Sequence, residues 1–120
     1  MYPAPDQPPN NLSTTVTLYK LRTLLRRFPG KPFYLTEYGY NTHPSLMFGE
    51  FTVGNAVQAR YLKRAYRYAA RYRQVKVLLW YLLYDVRPAS GPADAGGYSG
   101  LRKAGGARKP AWFAFAHLGR

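Results

Sequence analysis

Lys31-Pro32-Phe33-Tyr34-Leu35-Thr36-Glu37-Tyr38-Gly39 is a run of β-forming residues that follows a Pro-Gly-Lys-Pro stop and leads straight into a carboxylate and a glycine. It predicts a short strand over 33–37, ended by Gly39. The second decisive stretch is Val75 to Tyr84, which is too uniformly apolar for a strand with one wet face. Parallel strands covered on both sides show this pattern. Between the two, Asn55 to about Tyr72 has helical spacing, with Val57, Tyr61, Leu62, Ala65, Tyr68, Ala69 and Tyr72 marking the buried face.

Upstream, Ser13, Thr14 and Thr15 offer N-caps for a helix running to about Arg27, with Leu18, Leu21, Leu24, Leu25 and Phe28 along one side. Pro29-Gly30-Lys31-Pro32 stops that helix. The order helix, strand, helix, strand is the βαβ signature of a parallel sheet, and Phe33 to Leu83 has the length of one crossover unit. The remaining segments are connections and one last helix. Residues 1–12 are Pro- and Asn-rich and read as a loop, as does Tyr40 to Thr52. Residues 91–108 are rich in Gly, Ala and Ser and read as a long flexible loop. Pro110 then opens a helix to about Leu118 from its favoured first-turn position. Two parallel strands alone would leave open edges and uncovered apolar surface, so the pattern implies elements beyond this inventory.

With 120 residues the chain has room for one domain. Twelve tyrosines, against six phenylalanines and two tryptophans, suggest surfaces that are both apolar and hydrogen-bonding. The absence of cysteine removes disulfides and thiolate metal sites and leaves the compartment open. The longest apolar run, Val77 to Tyr84, is far short of the roughly 20 residues of a membrane span, so no membrane partner is expected. Met1-Tyr2-Pro3-Ala4-Pro5 does not read as a secretion signal; the signal of a secreted parent would lie upstream. Eighteen basic residues against five acidic ones give a formal charge of +13, a field that attracts polyanions.

The stretch Lys31 to Gly39 resembles the seventh strand of the clan A retaining glycoside hydrolases, the cellulase-like and xylosidase-like barrels, in which a Glu before an aromatic or small residue and Gly is the nucleophile. Val77-Leu78-Leu79-Trp80-Tyr81 and Asp85 are similar to the eighth strand, where the family places a Trp under the sugar of the cleavage subsite. Gly100-Leu101 and Lys109-Pro110-Ala111-Trp112 are similar to the closing segment and last helix, and Tyr2-Pro3 to the tail of a loop after strand six. The resemblance implies an α/β fold: a partial (β/α)8 TIM barrel made of about the last two βα units, strands seven and eight with flanking helices. Residues 1–120 would then be a single incomplete barrel fragment. A complete barrel of this kind needs about 250 residues.

By the same resemblance Glu37 is the catalytic nucleophile, Trp80 a sugar-stacking residue, and Tyr38 and Tyr40 its substrate-binding companions. Tyr34, Tyr38 or Tyr40 would hold the carboxylate ionised. Retaining hydrolysis uses two carboxyl groups about 5 to 5.5 Å apart. The family carries the acid/base as Asn-Glu after strand four, and no Asn-Glu pair occurs here. The expectation is therefore a fragment of a hydrolase of poly- or oligosaccharides, inactive alone, with the missing barrel portion as partner and no cofactor. Asp85, Asp94 and Glu50 read as structural or solvated, and the two histidines, His43 and His117, lack metal-ligand spacing.

The alternative reading starts from the charge. Arg60, Lys63, Arg64, Arg67 and Arg71 recur at three- and four-residue steps and form a cationic stripe on the second helix. This describes either the solvated outer face of a barrel helix or a small basic module for nucleic acid or another polyanion, bound non-specifically because no base-reading motif accompanies the stripe.

Overall fold

The computed structural model describes residues 4–8, 17–43, 52–86 and 97–119. A 3-10 turn, Leu18–Lys20, leads into helix α1, Leu21–Arg27. Then follow strand β1, Phe33–Tyr38, helix α2, Asn55–Ala69, strand β2, Val75–Trp80, and helix α3, Pro110–Ala116. The two strands pair in parallel, with Phe33 opposite Val75, Leu35 opposite Leu78 and Tyr38 opposite Trp80. The protein is thus a small α/β unit with a two-stranded parallel sheet and helices packed on one of its faces.

The core lies between that face and the helices. Leu18, Leu21 and Leu25 from the first helical segment, Tyr61 and Ala65 from α2, and Tyr38 and Tyr40 from the strand end are buried together, with Phe33, Leu35, Val75, Leu78 and Trp80 packed against them. A second cluster joins α2 to α3 through Leu62, Leu101, Ala111 and Ala114, and Trp80 reaches it as well. Leu62 is wholly buried, a transfer worth about 1.5–3 kcal/mol. The α2 stripe is Gln58, Tyr61, Leu62, Ala65 and Ala69, the 3.6-residue period of a helix with one apolar face.

Several boundaries differ from the sequence reading. The caps expected at Ser13 to Thr15 lie outside the described residues, and Leu24 and Phe28 are exposed. Gly30 takes a left-handed φ of 74° at the end of the first helical segment, a conformation that costs glycine little. The last carbonyls there are also held by Gln74, whose amide donates to Phe28 O at 2.9 Å and Lys31 O at 3.1 Å. The second strand stops at Trp80 rather than Tyr84. Beyond it the backbone pairs with the closing segment instead: Leu101 N donates to Leu82 O at 3.1 Å, Arg102 N to Leu83 O at 3.0 Å and Asp85 N to Arg102 O at 2.8 Å. Within 91–108, residues 97–108 are consequently a packed irregular segment, with Ser99, Gly100 and Leu101 buried. Gly100 has no room for a side chain, since a Cβ there would stand 2.4 Å from Asp85 N.

Among the described residues nothing packs on the opposite face of the sheet. Tyr34 and Leu79 are 59% and 52% exposed, although the apolar run of β2 had predicted a strand covered on both sides. No helix among the described residues is long and apolar enough to cross a membrane.

Candidate active site

Parallel strands end on the same side, so the carboxyl ends of β1 and β2 bring Glu37, Tyr38, Trp80 and Tyr81 to one edge of the sheet. Alternation from Phe33 and Leu35, which pack on the core, would turn Glu37 inward. Instead the pairing with β2 shifts between Leu35 and Tyr38, where β1 spans three steps against two from Leu78 to Trp80. Thr36 and Glu37 are both exposed and Tyr38 is buried. An extra residue of this kind re-aims side chains at strand ends. Here it brings the carboxylate out of the core and leaves it exposed at the strand end.

Behind Glu37 is an aromatic cluster. Tyr38 and Tyr40 are 3% and 1% exposed. Their hydroxyls share a hydrogen bond of 2.9 Å, and their rings meet edge to face at 5.7 Å. Tyr40 also meets Tyr61 of α2 at 5.1 Å, and Trp80 lies 6.2 Å from Tyr38 and 6.5 Å from Tyr40. Tyr38 and Tyr40, the residues expected at a sugar subsite, are packed in the core together with Tyr61 and Ala65 of α2. Trp80 is half-buried and donates its Nε1 hydrogen to Ser99 O at 2.8 Å, so its position is set by the closing segment.

A polar layer that motif reading missed ties the strand ends together. Lys109, 1% exposed, donates from Nζ to Thr42 Oγ1 at 3.0 Å, to Asp85 Oδ1 at 3.1 Å and to Tyr98 O at 3.1 Å. Asp85 in turn accepts from Gly100 N at 2.9 Å. Burial pushes the Lys109 pKa down from its ordinary value, and the Asp85 carboxylate partly restores it. Asn41 accepts from Tyr98 N and from Ser99 Oγ, each at 3.1 Å. Gln58 donates to Tyr40 O at 2.9 Å and Ser99 O at 3.2 Å. The signal for Gln58 was its place on the buried stripe of α2, and for Lys109 its place one residue before the helix-opening Pro110.

Among the described residues the carboxylates are Asp6, Glu37 and Asp85. Asp85 is committed to Lys109, and Asp6 pairs with Arg64 of α2, so neither supplies an acid beside Glu37. Glu50 and Asp94 lie outside the described residues. His43 stacks on Tyr98 at 4.6 Å, and His117 contacts Phe113 O through Nδ1 at 2.7 Å. Among the described residues no group of three or more His, Cys, Asp or Glu comes together.

This arrangement of two parallel strands and three helices matches part of a bacterial glycosidase. The structure of Ruminococcus gnavus β-glucuronidase superposes with a TM-score of 0.60 at 20% identity, over 82% of this chain and 17% of that one. Its complex with D-glucuronic acid gives 0.63 at 20% identity, over 81% and 17%. Its complex with uronic deoxynojirimycin gives 0.62 at the same identity and coverage. The chain thus spans about a sixth of the length of these enzymes, and at this identity the likeness is one of fold. No protein-family model matches the chain, and no curated protein sequence does.

Proposed function

We propose that the chain is part of a retaining glycoside hydrolase, the last two βα units of a (β/α)8 barrel, with Glu37 as the nucleophile that attacks the anomeric carbon of a poly- or oligosaccharide. The observation that carries this reading is the register irregularity at Thr36 and Glu37, which leaves a carboxylate exposed at the carboxyl end of a parallel strand, where barrel active sites are built. The fold likeness to the β-glucuronidases supports it, as does the bare sheet face, which is the face a barrel would enclose.

On this reading the chain's own residues carry one half of the chemistry. Glu37 displaces the leaving oxygen, which departs with a proton, and water then displaces Glu37 from the same carbon; each step inverts that carbon, so the net outcome is retention. The proton donor belongs to another part of the barrel, as do most of the contacts to the sugar. Tyr38 and Tyr40 act from behind, as packing that holds the strand end, and Trp80 sets the wall between the strand end and the closing segment.

The test is to read the coding sequence ahead of Met1 for six further βα units, one carrying an Asn-Glu strand end, and to assay the completed protein for hydrolysis of aryl glycosides. Glu37→Gln is expected to lower kcat by at least about 10²- to 10⁴-fold, the scale of losing a positioned catalytic group, with the parent's KM and fold kept. Full activity of that variant would sink the assignment of Glu37.

A further inference from the structure

The outer side of α2 carries charge that the proposed chemistry does not use. Arg60, Lys63, Arg64 and Arg67 are exposed along the helix, and Arg71 is exposed just beyond it. At a rise of about 1.5 Å per residue the ridge from Arg60 to Arg71 is about 16 Å long. Neighbours along it stand at three- and four-residue steps, where like charges destabilise a helix by about 0.2–0.5 kcal/mol each.

Two grooves flank the ridge. One, of about 440 Å³, is lined by Asp6, Arg60, Lys63, Arg64, Arg67 and Arg71 among others. The other, of about 630 Å³, is lined by Lys63, Tyr66, Arg67 and His117 among others. Lys63 and Arg67 line both. Among the described residues Asp6 is the sole carboxylate on either groove, and it pairs with Arg64. About four cations remain without a carboxylate along a ridge bordered by concave surface.

We propose that this ridge binds the phosphodiester backbone of nucleic acid without reading its bases. Arginine predominates, and its planar guanidinium matches phosphate through paired hydrogen bonds. Phosphates of one strand advance about 3.4 Å each along a duplex, so the ridge covers about five of them. The tyrosines along the ridge are engaged within the fold: Tyr61 is buried, Tyr66 donates its hydroxyl to Leu78 O at 2.9 Å, and Tyr68 lies under the Arg71 guanidinium at 5.5 Å. Backbone contact alone makes the interaction sequence-independent and strongly salt-dependent. It stands or falls independently of the glycosidase reading, because α2 presents this side away from the sheet.

The experiment is fluorescence anisotropy of the 120-residue chain with a labelled 20-base-pair DNA duplex of mixed sequence. Between about 50 and 200 mM salt, log Kobs is expected to fall with log salt at a slope near −4, about a 10²-fold loss of affinity. A second duplex sequence should bind within about twofold. The variant R60Q/R67Q/R71Q, with its helix content verified by circular dichroism, should flatten the slope by about 3. R67Q alone should flatten it by about 1. R22Q/R26Q/R27Q on α1 removes the same charge from another surface and should leave the slope within about 1 of the parent. Equal flattening by both triple variants, no measurable binding, or tighter binding of a sulfated oligosaccharide of matched charge would each overturn the proposal.

Discussion

At the scale of single residues, Lys109 is the ion on which three chain segments converge: the end of β1 through Thr42, the turn after β2 through Asp85, and the closing segment through Tyr98. A buried pair of this kind adds little over an apolar filling, but breaking it leaves an uncompensated charge in the interior. Lys109→Met should therefore cost about 3–5 kcal/mol, read from the urea midpoint. The double variant D85N/K109M should recover part of that loss, because no buried carboxylate is left unpaired. A single-variant loss below about 1 kcal/mol would show that the clamp holds nothing. Asp85 was legible in the sequence as a structural carboxylate, and Glu37 as a strand-end carboxylate. The register shift that exposes Glu37 was not legible, since strict alternation from Phe33 and Leu35 would turn that position into the core. The shift that reverses it arises from pairing with β2 and leaves no mark in β1 itself. The burial of Tyr38 and Tyr40 was hidden for the same reason.

At the scale of elements, the strand and helix of the βαβ unit were readable because β-forming residues run from Phe33 to a glycine stop at Gly39, and α2 keeps the 3.6-residue period over its length. The end of β2 was not, because Val77 to Tyr84 is apolar throughout, and what stops the strand is backbone pairing of residues 82–85 with residues 101–102 far along the chain. The packing of residues 97–108 was masked by their Gly and Ala content, which reads as looseness although Gly100 is needed for close backbone approach. The join between α2 and β2 rests on one polar contact amid apolar ones, the Tyr66 hydroxyl donating to Leu78 O at 2.9 Å. Burial raises the Tyr66 pKa above 10.0, and a backbone group of Trp80 partly offsets this. A group whose folded pKa is raised contributes stability that is present below its unfolded value and lost as pH rises through the folded value. Tyr66→Phe should cost about 0.5–1.5 kcal/mol near neutral pH. The gap to the parent should narrow above about pH 10 in urea titrations. A gap that is constant or widens over that range would assign the loss to packing and not to the hydroxyl.

At the scale of the whole molecule, the described residues cover the sheet on one side and leave it open on the other. Phe33, Leu35, Leu78 and Trp80 are packed on the helices, whereas Tyr34, Leu79 and Leu83 are 52–59% exposed. Among the described residues no further strand pairs with either outer edge of the sheet, and such edges and faces are sites of association. The face has opposite consequences in the two settings it can occupy. In the 120-residue chain Leu79→Lys changes an exposed position, so stability should move by no more than about 0.5 kcal/mol, while self-association in sedimentation velocity decreases. In a complete barrel the same position faces the packed interior, and an unpaired ammonium there would cost several kcal/mol or prevent folding. Measuring the variant in both settings separates a sheet that is half of an enclosed core from one that is complete as it stands. Equal tolerance in the short and the completed protein would mean that this face never lines a barrel, and the proposal for Glu37 would lose the enclosure that its chemistry requires.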